Sequence, residues 1–153
     1  MPSQRPDSKV PKSWAPELPY LTAPAYSRTL TTAHLAALRN PTKDSAPIPT
    51  NTPKGACSLV KITPIISPSH PAAGQRGLFA NCDLKQGTFI LQYIGELHAT
   101  PSTDSAVKDD AHADSNYDLS LDRENSIGID ADKMGNEARF INDYRGIADR
   151  PNA

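Results

Sequence analysis

Cysteine is scarce in this chain of 153 residues: there are two, Cys57 and Cys82. Neither has a His or a second Cys nearby at ligand spacing, which excludes a disulfide framework and a zinc cluster. The N-terminus, MPSQRPD, lacks the apolar core of a secretory signal. No apolar run approaches the roughly 20 residues that cross a bilayer. A surplus of either charge is also missing. The net charge of −1 gives no electrostatic case for nucleic acid or a membrane surface. Together these absences set the expectation of a soluble, intracellular protein.

Apolar content is low as well, at 37% against roughly 45–50% in ordinary globular domains. The deficit is local. Ten of the 15 prolines lie between Pro2 and Pro53, so a Pro-rich leader dilutes a more ordinary domain behind it. The length suits one domain. Pro fixes φ and removes a donor, so residues 1–56 read as an extended, largely disordered leader. Trp14 and Leu18 are bulky enough to dock on the domain, but free chain is the preferred reading. Within the leader, residues 31–40 (TTAHLAALRN) predict one short helix, with a Thr cap, Leu35 and Leu38 on one face, and Asn40-Pro41 as the stop.

From residue 57 the pattern is that of short strands. LVKI (59–62) and GLFA (77–80) are β-like, and TFILQYIGEL (88–97) is the strongest strand candidate. His98 to Ser115 is polar and aperiodic, so it reads as a solvated loop. Residues 116–122 alternate apolar with polar and pair with 127–130 across a turn, which predicts a hairpin. The fold class expected is mainly β, with short strands, hairpins and one short helix. The histidines, His34, His70, His98 and His112, fall in the leader, turns and polar loop, so none reads as a base or ligand. Met134 and Ile141 read as core, and Arg139 and Phe140 as fold residues.

Three pieces carry the chemistry. The first is GQRGLFA (74–80), followed by LKQGTFI (84–90) and YIGE (93–96). Alone, its Gly-x-x-Gly turn is weak evidence, and it is no dinucleotide fingerprint, because a third Gly and a following helix are missing. The second runs from Asn116-Tyr117 to Ile129-Asp130-Ala131. The third is GNEARFIN (135–142), followed by RPN (150–152).

In this order, the pieces resemble the SET domain family of S-adenosylmethionine-dependent protein-lysine methyltransferases. The resemblance covers residues 57–153, with GIDADKMGNEARFIN as its most specific part. It implies a SET-like β-fold and S-adenosylmethionine as cofactor. The turn of Gly74, Gln75, Arg76 and Gly77 would present backbone groups to the methionine end of the cofactor. Asn142 matches the family's cofactor-holding Asn, and Asp143 stands where the family usually has His. Gln75 replaces the first Gly of the family's Gly-x-Gly. Tyr93 and Tyr117 match aromatic positions that line or support the lysine channel.

The resemblance also implies a protein substrate, with histone tails the commonest among relatives, and prefers the nucleus over the cytoplasm. The scattered basic residues Arg5, Lys9 and Lys12 form no nuclear signal. In the family, the tyrosine most directly tied to catalysis lies in a late segment after the PN dipeptide. That segment would fall beyond Ala153, so no catalytic residue is expected within the chain. The expectation is therefore a SET domain of fungal type, incomplete at its C-terminus; the alternative is a non-catalytic SET-like interaction module.

Overall fold

The computed structural model describes residues 10–40, 42–101 and 110–153. Among these residues the fold is mainly β, with two sheets, one short α-helix (α1, Thr32–Arg39) and one 3-10 helix, Glu137–Phe140. Strands Val60–Pro64 (β2) and Arg76–Ala80 (β3) pair antiparallel, with Thr63 opposite Gly77. The larger sheet contains Ala25–Tyr26 (β1), Glu96–Ala99 (β4), Asp118–Asp122 (β5) and Ile127–Asp130 (β6), in the order β1-β4-β6-β5.

The predicted hairpin is present: β5 and β6 pair antiparallel, with an irregularity between Ser120 and Asp122. Its turn is pinned by Asp122, whose carboxylate accepts from the Asn125 backbone and side chain. The predicted helix is present too. Thr31 caps it by accepting from the His34 N–H, while the His34 ring accepts from the Thr31 N–H. An eight-residue helix is marginal alone. Its Ala37 and Leu38 pack against Leu97, Ile127 and Ile129, which form the core of the larger sheet.

Alternation along the strands divides that sheet chemically. Leu97, Ile129 and Ile127 share the apolar face beneath α1. The opposite face carries Glu96, Asp130 and Asp118 as direct cross-strand neighbours in one row. His98, facing Gly128 across the β4–β6 pair, lies in the next row.

Three expectations are corrected. Residues 88–95 form no strand; only Glu96–Ala99 does. The Asn136 side chain explains why, since it accepts from the Ile94 N–H and donates to the Gln92 carbonyl. A side chain takes the backbone groups that a neighbouring strand would otherwise pair. His98 belongs to β4 and is 1% exposed rather than solvated. Ile141 is 56% exposed and is not core. It leaves the 3-10 helix in extended conformation, so alternation turns it away from the side on which Phe140 is buried.

From Pro11 to Leu18 the leader runs through two turns, closed by Trp14 N–H to the Pro11 carbonyl and Leu18 N–H to that of Ala15, and it is docked. Trp14 stacks edge-on against Tyr20 and Phe140, at centroid distances of 5.1 and 5.8 Å. The chain then runs beside β4: Ala25 N–H donates to Gly95 and Ser27 N–H to Leu97. β1 thus covers the β4 edge of the sheet in parallel, leaving β5 as the opposite edge.

Candidate functional site

The Gly74 turn opens with a left-handed residue, φ +84°, a conformation that Gly adopts without steric penalty. Its amides are spent internally: Gly74 N–H donates to the Ile65 carbonyl and Gln75 N–H to that of Ala72, while the Gln75 carbonyl accepts from Ile65. The β2–β3 pairing thereby fixes the turn. Three residues on, Gly77 is buried. A Cβ placed there would lie 2.8 Å from Phe79 Cε2, 3.0 Å from Asn142 Nδ2 and 3.2 Å from Ile65 Cδ1. Asn142 therefore meets Gly77, although 65 positions separate them in the sequence. The short 3-10 helix sets this contact, since it packs on β3 and delivers residues 141–142 alongside.

Phe79 was not singled out by the sequence. It shares a strand face with Gly77, and its ring lies against it while remaining 43% exposed. Its position two residues after the Gly was the available signal. Of the remaining turn residues, Gln75 is exposed, and Arg76 reaches the leader, donating from Nη1 to the Ser13 carbonyl at 2.9 Å. Asp143 is on the surface and pairs with Arg145, 3.0 Å from its Nε.

The two tyrosines also come together. Tyr93 Oη donates to the Tyr117 carbonyl at 2.7 Å, and the Arg139 guanidinium lies 4.0 Å from the centre of the Tyr117 ring. Burial first, then the Asp130 carboxylate, pushes the Tyr93 hydroxyl up to about 12. Arg139 is itself fixed by donating to the Ala131 and Asp132 carbonyls. It precedes Asn142 by three residues, so the 3-10 helix links the tyrosine pair to the Gly77 contact.

On the polar face of the larger sheet, His98 and His112 stack at 3.7 Å between centroids. His98 Nε2 lies 2.7 Å from Asp118, and His112 Nδ1 lies 2.6 Å from Asp130. Burial alone would raise the Asp130 carboxyl, but hydrogen bonds from His112, Ser115 and the Asp132 N–H outweigh it and hold the group below its ordinary value. Among the described residues, no group of three or more His, Cys, Asp or Glu side chains is placed to hold a metal ion.

Elsewhere, a cleft of about 630 Å³ lies between residues 20–22, 48–59 and 89–94. Glu137 is at its edge, 2% exposed, accepting from Tyr20 Oη at 2.7 Å and from the Cys57 N–H at 2.6 Å. None of the residues expected to bind cofactor or substrate lines this cleft.

A model of the SET domain family matches residues 75–153, more than half of the chain. The match begins inside the turn and leaves β2 outside, although β2 is the strand that pairs with β3. No curated protein and no solved structure gives a significant match. The chain belongs to the SET domain family, whose members are in general protein-lysine methyltransferases.

Proposed function

We propose that this chain binds S-adenosylmethionine against the turn of Gly74, Gln75, Arg76 and Gly77 and against Asn142, for methyl transfer to a lysine of a protein. The observation that carries this reading is the contact of Asn142 with Gly77, which joins two separately predicted cofactor segments. The donor set suits the ligand. The Asn142 side-chain amide supplies both a donor and an acceptor to an amino-acid ligand. Phe79 offers an exposed aromatic face beside them, suited to a sulfonium cation.

When bound, the cofactor supplies an electrophilic methyl group. The protein's part is positioning and desolvation. Tyr93 and Tyr117 are proposed to frame the lysine channel. In this role Tyr93 works through its ring and through the bond that fixes the Tyr117 backbone. An apolar wall favours the neutral amine, lowering a lysine pKa from its usual value near 10.4. Weak CH···O contacts to carbonyl oxygens can orient the methyl group. No residue of the chain is proposed as the catalytic tyrosine. A histone tail is the proposed substrate class and the nucleus the proposed compartment, both by family analogy.

Reading the transcript past the Ala153 codon tests the enzymatic part. An open frame carrying a Tyr-x-Tyr segment, and label transfer from tritiated S-adenosylmethionine to core histones by the extended chain, support the enzyme. A stop codon at that point, with no label transfer, contradicts it and favours a non-catalytic module.

A further inference from the structure

The match to the family begins at residue 75, yet residues 13–21, far upstream of it, touch both segments proposed to hold the cofactor. On the turn, Arg76 Nη1 donates to the Ser13 carbonyl at 2.9 Å. On the other segment, Gly135 N–H donates to the Pro19 carbonyl at 3.2 Å, and Leu21 N–H to the Gly135 carbonyl at 2.8 Å. Between these two fastenings, Trp14 stands edge-on to Phe140, and Tyr20 Oη donates to Glu137 Oε2 at 2.7 Å. We infer that residues 13–21 are a strap that positions the cofactor site, holding the 3-10 helix against β3 so that Asn142 meets Gly77, with Tyr20 and Glu137 as positioning residues.

Glu137 is the fixed point of the strap. It is 2% exposed, and a carboxylate taken out of water is tolerated only when its oxygens are bonded. Those oxygens draw donors from two separate segments, Tyr20 Oη on one and the Cys57 N–H, at 2.6 Å, on the other. Burial first, then the bond to Glu137, holds the Tyr20 hydroxyl well above its ordinary ionisation range, so it stays a donor. The helix that Glu137 opens is four residues long. Its own backbone bonds are few: Arg139 N–H to the Asn136 carbonyl and Ile141 N–H to that of Ala138. So short a 3-10 turn does not hold itself in place; its seat on β3 depends on what is fastened to it.

The far end of the strap carries a sign of the same constraint. Ser13 has φ +69°, a left-handed conformation uncommon for a residue with a Cβ. Such a conformation persists where the surroundings over-determine it. Here Arg76 bonds the Ser13 carbonyl, while the next residue, Trp14, is held by Tyr20, by Phe140 and by the Leu18 carbonyl. Any consequence for S-adenosylmethionine rests on the cofactor site proposed above; the coupling of strap to helix does not.

Native-state amide exchange of the full chain without cofactor, in rising sub-denaturing guanidinium, tests the coupling. The Leu21, Gly135 and Ile141 N–H groups are expected to open as one unit, before the β5–β6 hairpin does. Ile141 remaining protected after Leu21 has opened, or opening of all three only with the hairpin, overturns the strap. Tyr20→Phe keeps the ring and removes the bond to Glu137. In that variant protection at Ile141 is expected to fall about tenfold, the scale of one lost bond to a buried acceptor, with the hairpin unchanged. Unchanged protection at Ile141, or an equal fall in the hairpin, overturns the strap. Should Tyr20→Phe fail to fold, exchange in the unaltered chain still decides the matter. Titration with S-adenosylmethionine then reads the site, with binding expected to weaken about tenfold in Tyr20→Phe. Equal binding by the variant overturns the strap, whereas no binding by the unaltered chain contradicts the cofactor proposal alone and leaves the exchange result to judge the strap.

Discussion

Asn142 touches the molecule at one place that matters for a ligand, and Gly77 is the reason it can. With Phe79 and Asn142 already at contact distance from a Cβ at position 77, Gly77→Val has to displace one of them. Overpacking of this kind costs about 1–3 kcal/mol, measurable by chemical denaturation, and is expected to remove cofactor binding with it. Tyr93 gives a second test. Its ionisation is pushed up to about 12, by burial first. A raised value means that the folded state holds the proton more tightly than the unfolded chain. The resulting stability is complete below the ordinary Tyr value near 10 and is lost as pH climbs from there towards 12. Alkaline unfolding followed by circular dichroism is expected to steepen in that window and to flatten in Tyr93→Phe. An unchanged profile in that variant contradicts the assignment.

Among the elements, the docked leader has the most to lose from one substitution. Trp14 makes both edge-on aromatic contacts, to Tyr20 and to Phe140 beside the 3-10 helix. It also donates from Nε1 to the Leu18 carbonyl at 2.7 Å. Trp14→Ala is expected to cost about 2 kcal/mol, given roughly 0.5–1.5 kcal/mol per aromatic pair plus lost burial, and to raise protease sensitivity around residue 20. No change in either measurement means that the leader contributes little to the domain. The β5–β6 hairpin and α1 were legible because each announces itself locally, by alternation around a turn and by a Thr cap before a short apolar face. The β4 boundary was not. The segment 88–95 has the composition of a strand, but its Gln92 carbonyl and Ile94 N–H are bonded by the side chain of Asn136, over forty positions away, and no local pattern reveals that. The same limit hid His98: a histidine beside an acidic stretch reads as solvated until pairing of three strands makes a carboxylate row to receive it. For Ile141 the misreading came from hydropathy alone, since the exit from the 3-10 helix decides which way it points.

At the scale of the whole molecule, the fold divides its duties between two sheets. The β2–β3 pair fixes the Gly74 turn, the larger sheet carries α1 on one face and the stacked pair of His98 and His112 on the other, and the 3-10 helix connects them. The cofactor segments were legible as motifs, because their order along the chain is that of the SET family. That Gly77 and Asn142 would touch follows from the 3-10 helix packing on β3, which spacing along the chain does not encode. Calorimetric titration of the folded chain with S-adenosylmethionine tests the central claim most directly. Saturable one-site binding is predicted, weakened at least about tenfold in Asn142→Ala, the scale of one lost hydrogen bond in a binding site. Absence of binding by a chain whose circular dichroism and melting establish that it is folded, or equal binding by Asn142→Ala, would contradict it.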